Sequence, residues 1–198
     1  MAKSEKNHDF FKNDAAFDRL YVERLQRLSS RHWTPLEVAQ RAAAYLGTPG
    51  GRVLDVGCGP GKFCIAAAHY QPETKFVGIE RRADLVRTAR RVARRLNLNN
   101  ATFIDGNFIN TDFTPYSGIY FYNSFHENID LPCRIDDTIE HSFDNYEAFR
   151  ESLYGKLSQM PPLTRLATYF CPDQQIPPNF KLVGSTMSNL VLFWQART

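Results

Sequence analysis

The sequence predicts an α/β protein with a doubly wound, mainly parallel seven-stranded sheet that ends in an antiparallel hairpin. Three observations carry this. Strand-like and helix-like segments alternate through five strands, the pattern of parallel strands joined by helical crossovers. The last two strand segments, FKLVGST (180–186) and NLVLFWQA (189–196), are separated by about two residues. A parallel crossover needs a dozen or more, so that pair must be antiparallel. Finally, three glycines follow the first strand in VLDVGCGPGKF (53–63), at the turn where such sheets place ligands.

In chain order, residues 15–29 put Phe17, Leu20, Tyr21, Leu25 and Leu28 on one stripe and predict a helix. A second helix is expected from about Pro35 to Leu46, with Thr34 as N-cap and Pro35 at the first helical position. TPGG (48–51) breaks the chain. Strands follow at 52–57, 75–80, 101–105, 118–123 and 164–170, with helices at 61–70, 82–96 and about 146–157. The whole of 1–198 is expected to form one domain, with 1–48 a helical extension and 49–198 the Rossmann-like core.

Composition narrows the class further. Of the 198 residues, 43% are hydrophobic and 23% charged, ordinary for a globular chain. No apolar run approaches the roughly 20 residues of a membrane span, and MAKSEKNHDFFKND has no signal-like apolar stretch. Cys58, Cys64, Cys133 and Cys171 form no CxxC pair and no metal-ligand spacing with histidine. A reducing cytoplasm is the simplest home, and no metal is expected. The net charge of +3 neither demands nor excludes nucleic acid.

The glycine loop carries the chemical signal. Glycine adopts positive φ without steric cost and lets a ligand approach the backbone. The helix starting near Gly61 points free N–H groups into the same crevice. A dinucleotide site would read GxGxxG, whereas here the spacing is GxGxG after an acid, Asp55. A carboxylate repels a pyrophosphate but suits a cationic sulfonium that also bears an ammonium group. Asp55-x-Gly57-x-Gly59-x-Gly61 resembles motif I of class I S-adenosylmethionine-dependent methyltransferases, whose fold has the same closing hairpin. The resemblance covers roughly residues 50–196 and is specific at the level of the superfamily.

That resemblance implies S-adenosylmethionine as cofactor, held by Asp55, Gly57, Cys58, Gly59 and Gly61. Glu80 ends the second strand and would accept the ribose hydroxyls. Asp105, with Gly106 and Asn107, ends the third and would meet the adenine. Single strand-end acids are often caps or solvated ends; three in succession favour a cofactor.

The acceptor side rests on YFYNSFHEN (120–128). Amino-directed methyltransferases of this fold carry a [DN]PP[YF] motif here, whose Asn or Asp oxygen accepts from the substrate amine. Asn123 and Phe125 form a looser N-x-F version, without the prolines and with the aromatic one position early. It resembles the NNF segment of the disruptor-of-telomeric-silencing class of histone lysine methyltransferases, most of whose catalytic domain is missing here. Asn123, Phe125 and Glu127 are the candidate catalytic residues, and Asn123 also borders the cofactor. His126 is a possible general base, and Asn128 a residue that holds the loop through its own backbone. Trp33 and Thr34 either form a lid or simply pack and cap.

Charge is distributed unevenly. RRADLVRTARRVARRLN (81–97) carries Arg81, Arg82, Arg87, Arg90, Arg91, Arg94 and Arg95, opposite its apolar stripe, either as a solvated face or as a phosphate-binding surface. Residues 127–151 are rich in acids, an expected acidic rim that would favour a basic acceptor. The expected function is methylation of an amine nitrogen on a protein or small molecule. The alternatives are an RNA or DNA amino methyltransferase, an aminopropyl transferase, or a non-catalytic S-adenosylmethionine-binding module. Oligomeric state is not readable.

Overall fold

The computed structural model describes residues 9–130, 132, 134–171 and 175–198. The start of the polar N-terminal stretch and Cys133 lie outside them. Helices α1 (Asp14–Asp18), α2 (Glu23–His32) and α3 (Leu36–Leu46) precede the core. The core then runs β1 (Arg52–Val56), α4 (Lys62–Tyr70), β2 (Lys75–Glu80), α5 (Ala83–Arg95), β3 (Ala101–Asp105) and β4 (Gly118–Tyr122). Helix α6 (Phe143–Ser158) and strands β5 (Arg165–Tyr169), β6 (Phe180–Thr186) and β7 (Val191–Ala196) complete it. The sheet order is β3-β2-β1-β4-β5-β7-β6. The first five strands pair parallel, and β7 pairs antiparallel with both β5 and β6.

Both faces of the sheet are covered. On one side Phe63, Ala66 and Ala67 of α4 and Leu85, Val86 and Ala89 of α5 meet Phe76 and Tyr120; Phe63 stacks on Tyr120 at 3.7 Å. On the other, Phe121 and Leu54 meet Phe108, Phe149 and Leu153. Each fully buried side chain of this kind contributes about 1.5–3 kcal/mol by leaving water. Among the described residues no helix is long and apolar enough to cross a membrane.

The expected helix over 15–29 is two helices. Asn13 caps the first through Ala16 N–H (2.8 Å), and the chain turns at residues 19–22. The turn is held from outside: Gln26 Nε2 donates to the Tyr21 carbonyl (2.8 Å) and the Tyr21 hydroxyl to the Pro60 carbonyl (3.3 Å). The apolar stripe is buried as expected at Phe17, Leu20, Tyr21 and Leu25, but it wraps the core instead of running straight.

Thr34 is not a cap. Pro35 occupies the N-cap position, and the free N–H of Leu36 donates to Asp14 Oδ1 (3.0 Å). The Thr34 hydroxyl instead bonds the Tyr120 hydroxyl (3.0 Å). The closing turn spans four residues, with Met187, Ser188 and Asn189 all left-handed. Helix α6 starts at Phe143, three residues earlier than expected, because Ser142 caps it through Asn145 N–H (3.1 Å).

Candidate active site

Strand order reverses at β1 and β4: β1 continues to β2, and β4 to β5. At such a switch point the loops leaving the strands part and a crevice opens at their carboxyl ends. Here that crevice is a cleft of about 610 Å³. Its walls come from the loops after β1, β2 and β4, from the α2–α3 junction, and from Phe149 and Phe170.

The three glycines serve three different neighbours. All have positive φ: Gly57 76°, Gly59 54° and Gly61 81°. A Cβ on Gly57 would stand 2.5 Å from Ser124, and one on Gly59 2.7 Å from the Trp33 ring. One on Gly61 would meet Phe103 at 2.6 Å and Ala89 at 2.8 Å. Gly57 and Gly59 line the cleft and Gly61 does not. Its place is the seam between α4, α5 and β3, so it stands apart from the expected cofactor contacts. Cys58 lines the cleft, but burial pushes its thiol well up and leaves it unreactive.

Asp55 and Glu80 meet at the cleft floor. Burial pushes the Asp55 carboxyl up to about 8, with the Cys64 thiol, 3.5 Å away, the group opposing that rise. Burial also raises Glu80, opposed by two backbone donors: Gly59 N–H to Oε2 (3.1 Å) and Arg82 N–H to Oε1 (2.9 Å). Asp105 lies beside Glu80 in register but is exposed and does not line the cleft. Its neighbour Gly106 does, tied by its N–H to the Glu80 carbonyl (3.0 Å). Asn107 also stays outside, capping a short turn through Ile109 N–H (3.1 Å). Register puts Asp105 on the same face as Glu80, but β3 is the edge strand, so Asp105 stands beyond the margin of the cleft.

The acceptor loop has one unengaged polar side chain facing the cleft wall at its base. Asn123 holds a left-handed φ of 31°, and its amide has no hydrogen-bond partner among the described residues; only its carbonyl is used, by His126 N–H (3.1 Å). The Ser124 hydroxyl donates to the Val56 carbonyl (2.7 Å), pinning the loop to β1. Phe125 is buried and stacked on Phe108 at 5.1 Å, a wall of the cleft continuous with the core. Asn128 Nδ2 donates to the Phe125 carbonyl (2.9 Å), holding the loop. His126 is exposed beside Asp130 at 3.8 Å.

Glu127 is not placed as a free base. Its two oxygens accept from both terminal nitrogens of Arg82 (2.9 and 2.8 Å), so both are engaged in a two-pronged ion pair. Arg82 was expected on a solvated helix face. It is buried, with Nε donating to Asp136 Oδ1 (3.0 Å). Its neighbour Arg81 covers the Phe149 ring at 4.6 Å. The expected acidic rim is likewise largely used internally: Glu127 and Asp136 by Arg82, Asp130 by Arg31 and His126, Asp137 by Arg134, Glu147 by Arg150.

Sequence reasoning missed Lys62. Buried, and lining the cleft, it binds Asp14 (2.7 Å), Asp18 (2.7 Å) and Ser29 (2.9 Å). A lysine directly after a glycine loop was the only signal, and its partners lie more than thirty positions away. Trp33 both packs and encloses: its Nε1–H donates to the Leu25 carbonyl (2.9 Å) while its ring covers Gly59. Tyr122 lines the opposite wall, its hydroxyl on the Arg31 carbonyl (2.9 Å).

These residues fit S-adenosylmethionine. Asp55 is a buried carboxyl with no cationic partner among the described residues, which a bound cation would complement; Glu80 keeps lone pairs free for hydroxyls; two glycines leave the backbone open. A sheet of this order with this cleft defines a class I S-adenosylmethionine-dependent methyltransferase domain. Residues 48–160, more than half of the chain, match the family model described as a methyltransferase domain, and the chain belongs to that family.

A tRNA (guanine-N(7)-)-methyltransferase of Microcystis aeruginosa is 46% identical over 54 residues, 27% of this chain and 26% of that protein. One from Synechococcus elongatus is 40% identical over 62 residues, 31% and 29%. The matched stretches thus span under a third of these relatives. Among solved structures, TrmN from Thermus thermophilus superposes with a TM-score of 0.64 at 19% identity, covering 86% of this chain and 51% of that one. An RNA methyltransferase from Salinibacter ruber in complex with S-adenosyl-L-homocysteine gives 0.54 at 21%, covering 83% and 93%. At these identities the two structures establish the fold.

Proposed function

We propose that the chain transfers a methyl group from S-adenosylmethionine to a nitrogen, with Asn123 orienting the acceptor. The observation that carries this is the unpartnered Asn123 amide at the cleft wall. Its oxygen accepts from the acceptor N–H and turns the nitrogen lone pair toward the methyl group. When bound, the cofactor supplies an electrophilic methyl group on a sulfonium, so positioning and exclusion of water provide most of the acceleration. Asp55 faces the cationic end, Glu80 the ribose, and Gly106 borders the adenine side. Trp33 and Phe125 close the walls to water.

Five of the eight acids in 127–151 are engaged by arginine or histidine, which weakens an acidic rim as the feature that selects the acceptor. A nucleic-acid amine is the second reading, favoured by the names of the curated relatives. Labelled-methyl transfer into fractionated cell extract tests both, reporting whether label lands on protein, small molecules or RNA. Asn123→Ala should abolish transfer and leave S-adenosylhomocysteine affinity within about twofold. Full turnover in that variant removes Asn123 from the chemistry. Cofactor binding without label on any fraction favours a non-catalytic module.

A further inference from the structure

Helix α2 presents Arg24, Arg27 and Arg31 along one stripe, at i, i+3 and i+7, all largely exposed. Arg31 lines the cleft. At the far end Arg24 reaches Asp84 in the first turn of α5 (3.2 Å). On α5, Asp84, Arg87, Arg91 and Arg94 share a stripe of the same spacing, and the three arginines are exposed. The two stripes therefore join at the Arg24–Asp84 pair. The α2 stripe runs about 10 Å and the α5 stripe about 15 Å, at 1.5 Å per helical residue.

The acids along this line are already engaged: Asp84 with Arg24, and Glu23 with Arg27 (2.9 Å). Arg87, Arg91 and Arg94 have no carboxylate partner among the described residues. Like charges at i, i+4, such as Arg87 and Arg91, repel and destabilise a helix. Along α5 from Arg87 to Arg94 the stripe carries no acid, unlike α2, where each arginine faces a carboxylate. The side chains are arginines, whose planar forks match phosphate oxygens. Their neighbours are differently employed: Arg90 donates to the Phe103 carbonyl (2.7 Å) and Arg95 lies over the Phe10 ring. No aromatic side chain interleaves the stripe, so contacts along it are to backbone and not to bases.

We infer that the outer faces of α2 and α5 form a track for the phosphodiester backbone of a nucleic acid, RNA or DNA, leading to the cleft. This rests on the N-methylation reading and narrows it: the acceptor nitrogen is a base amine delivered by a strand that the track holds.

The experiment is fluorescence anisotropy of the full chain with a single-stranded RNA of about 20 nucleotides and a DNA of the same sequence, at about 50 and about 200 mM salt. The triple variant Arg87→Gln/Arg91→Gln/Arg94→Gln should weaken binding by about tenfold or more at low salt. It should also reduce the slope of log K against log salt by about 2, at about 0.7 per lost single-strand contact. S-adenosylhomocysteine affinity should stay unchanged and melting temperature should not fall, since these side chains are exposed, outside the cleft and mutually repelling. Wild-type affinity and slope in the variant, or no nucleic-acid binding by the wild type, overturns the track. Label appearing only on protein or small molecules also overturns it and leaves N-methylation standing. Track-dependent binding without any methyl transfer instead sinks the N-methylation reading and keeps the track. The strand that takes up labelled methyl identifies the source.

Discussion

Arg82 and Glu127, separated by 45 positions in sequence, face each other in a two-pronged ion pair at 2.9 and 2.8 Å. Arg82 lies two residues after Glu80 and gives its own N–H to that carboxylate (2.9 Å). The end of β2 and the loop after β4 are thus tied through one residue, its backbone N–H to Glu80 and its guanidinium to Glu127. Arg82→Met leaves the Glu127 carboxylate buried without compensation and should cost about 3–5 kcal/mol in denaturant unfolding. Replacing both together, as Arg82→Met/Glu127→Leu, should recover much of that loss. A double variant no better than the single one would show that the pair is not the source of the cost.

Asp55 makes both stability and cofactor binding depend on pH. Its carboxyl is raised to about 8 in the folded chain by burial, against about 3.9 when unfolded. The folded form therefore binds this proton more tightly. Its contribution to stability is full below about pH 4 and is lost as pH rises toward 8. A bound sulfonium favours the carboxylate, so S-adenosylmethionine affinity should increase from pH 6 to 8 by up to about tenfold per unit. In Asp55→Asn both slopes should flatten. Melting temperature and calorimetric affinity across that range test this; retention of either slope in the variant assigns it elsewhere.

The glycines should separate by function. Gly61→Ala forces a Cβ against Phe103 and Ala89 at a φ of 81°, so it should destabilise the fold with little effect on cofactor affinity of the folded fraction. Gly59→Ala pushes on the Trp33 ring and should lower that affinity by about tenfold or more. The left-handed strain of about 1–2 kcal/mol is common to both, so comparing unfolding with calorimetry isolates the local contact.

Lys62 ties the N-terminal helices to the glycine-loop helix. Lys62→Met leaves Asp18, 13% exposed at its side chain, without its cation. Faster proteolysis within residues 14–32, with the sheet left intact, is the expected outcome. Cleavage at the wild-type rate would show that α1 and α2 are held by their apolar stripe alone.

Much of this was legible in the sequence, for identifiable reasons. The mainly parallel sheet and the closing hairpin follow from periodicity and connection length, both local. Asp55 and Glu80 followed from motif spacing at strand ends, and both reached the cleft. Asp105 met the same rule, yet it ends the edge strand, one strand further from the switch point than Glu80, and only Gly106 lines the cleft. The pairing of Glu127 with Arg82 was not legible, because the two lie 45 positions apart and neither sequence context names the other. Lys62 had partners only in helices whose break at residues 19–22 the apolar pattern did not show. Phe125, expected beside the acceptor, is at once cleft wall and core.

The contact between Gly57 and Ser124 bears on how such a domain changes its specificity. The loop after β1 and the loop after β4 lie so close that no side chain fits between them at residue 57. The separation of these two loops is therefore a fixed gauge, set by the sheet. Variation in what is methylated then has to come from parts free of that gauge: the helices before β1 and the segment between β4 and α6. An engineer seeking a new acceptor would vary those two regions and leave residues 57 and 124 untouched.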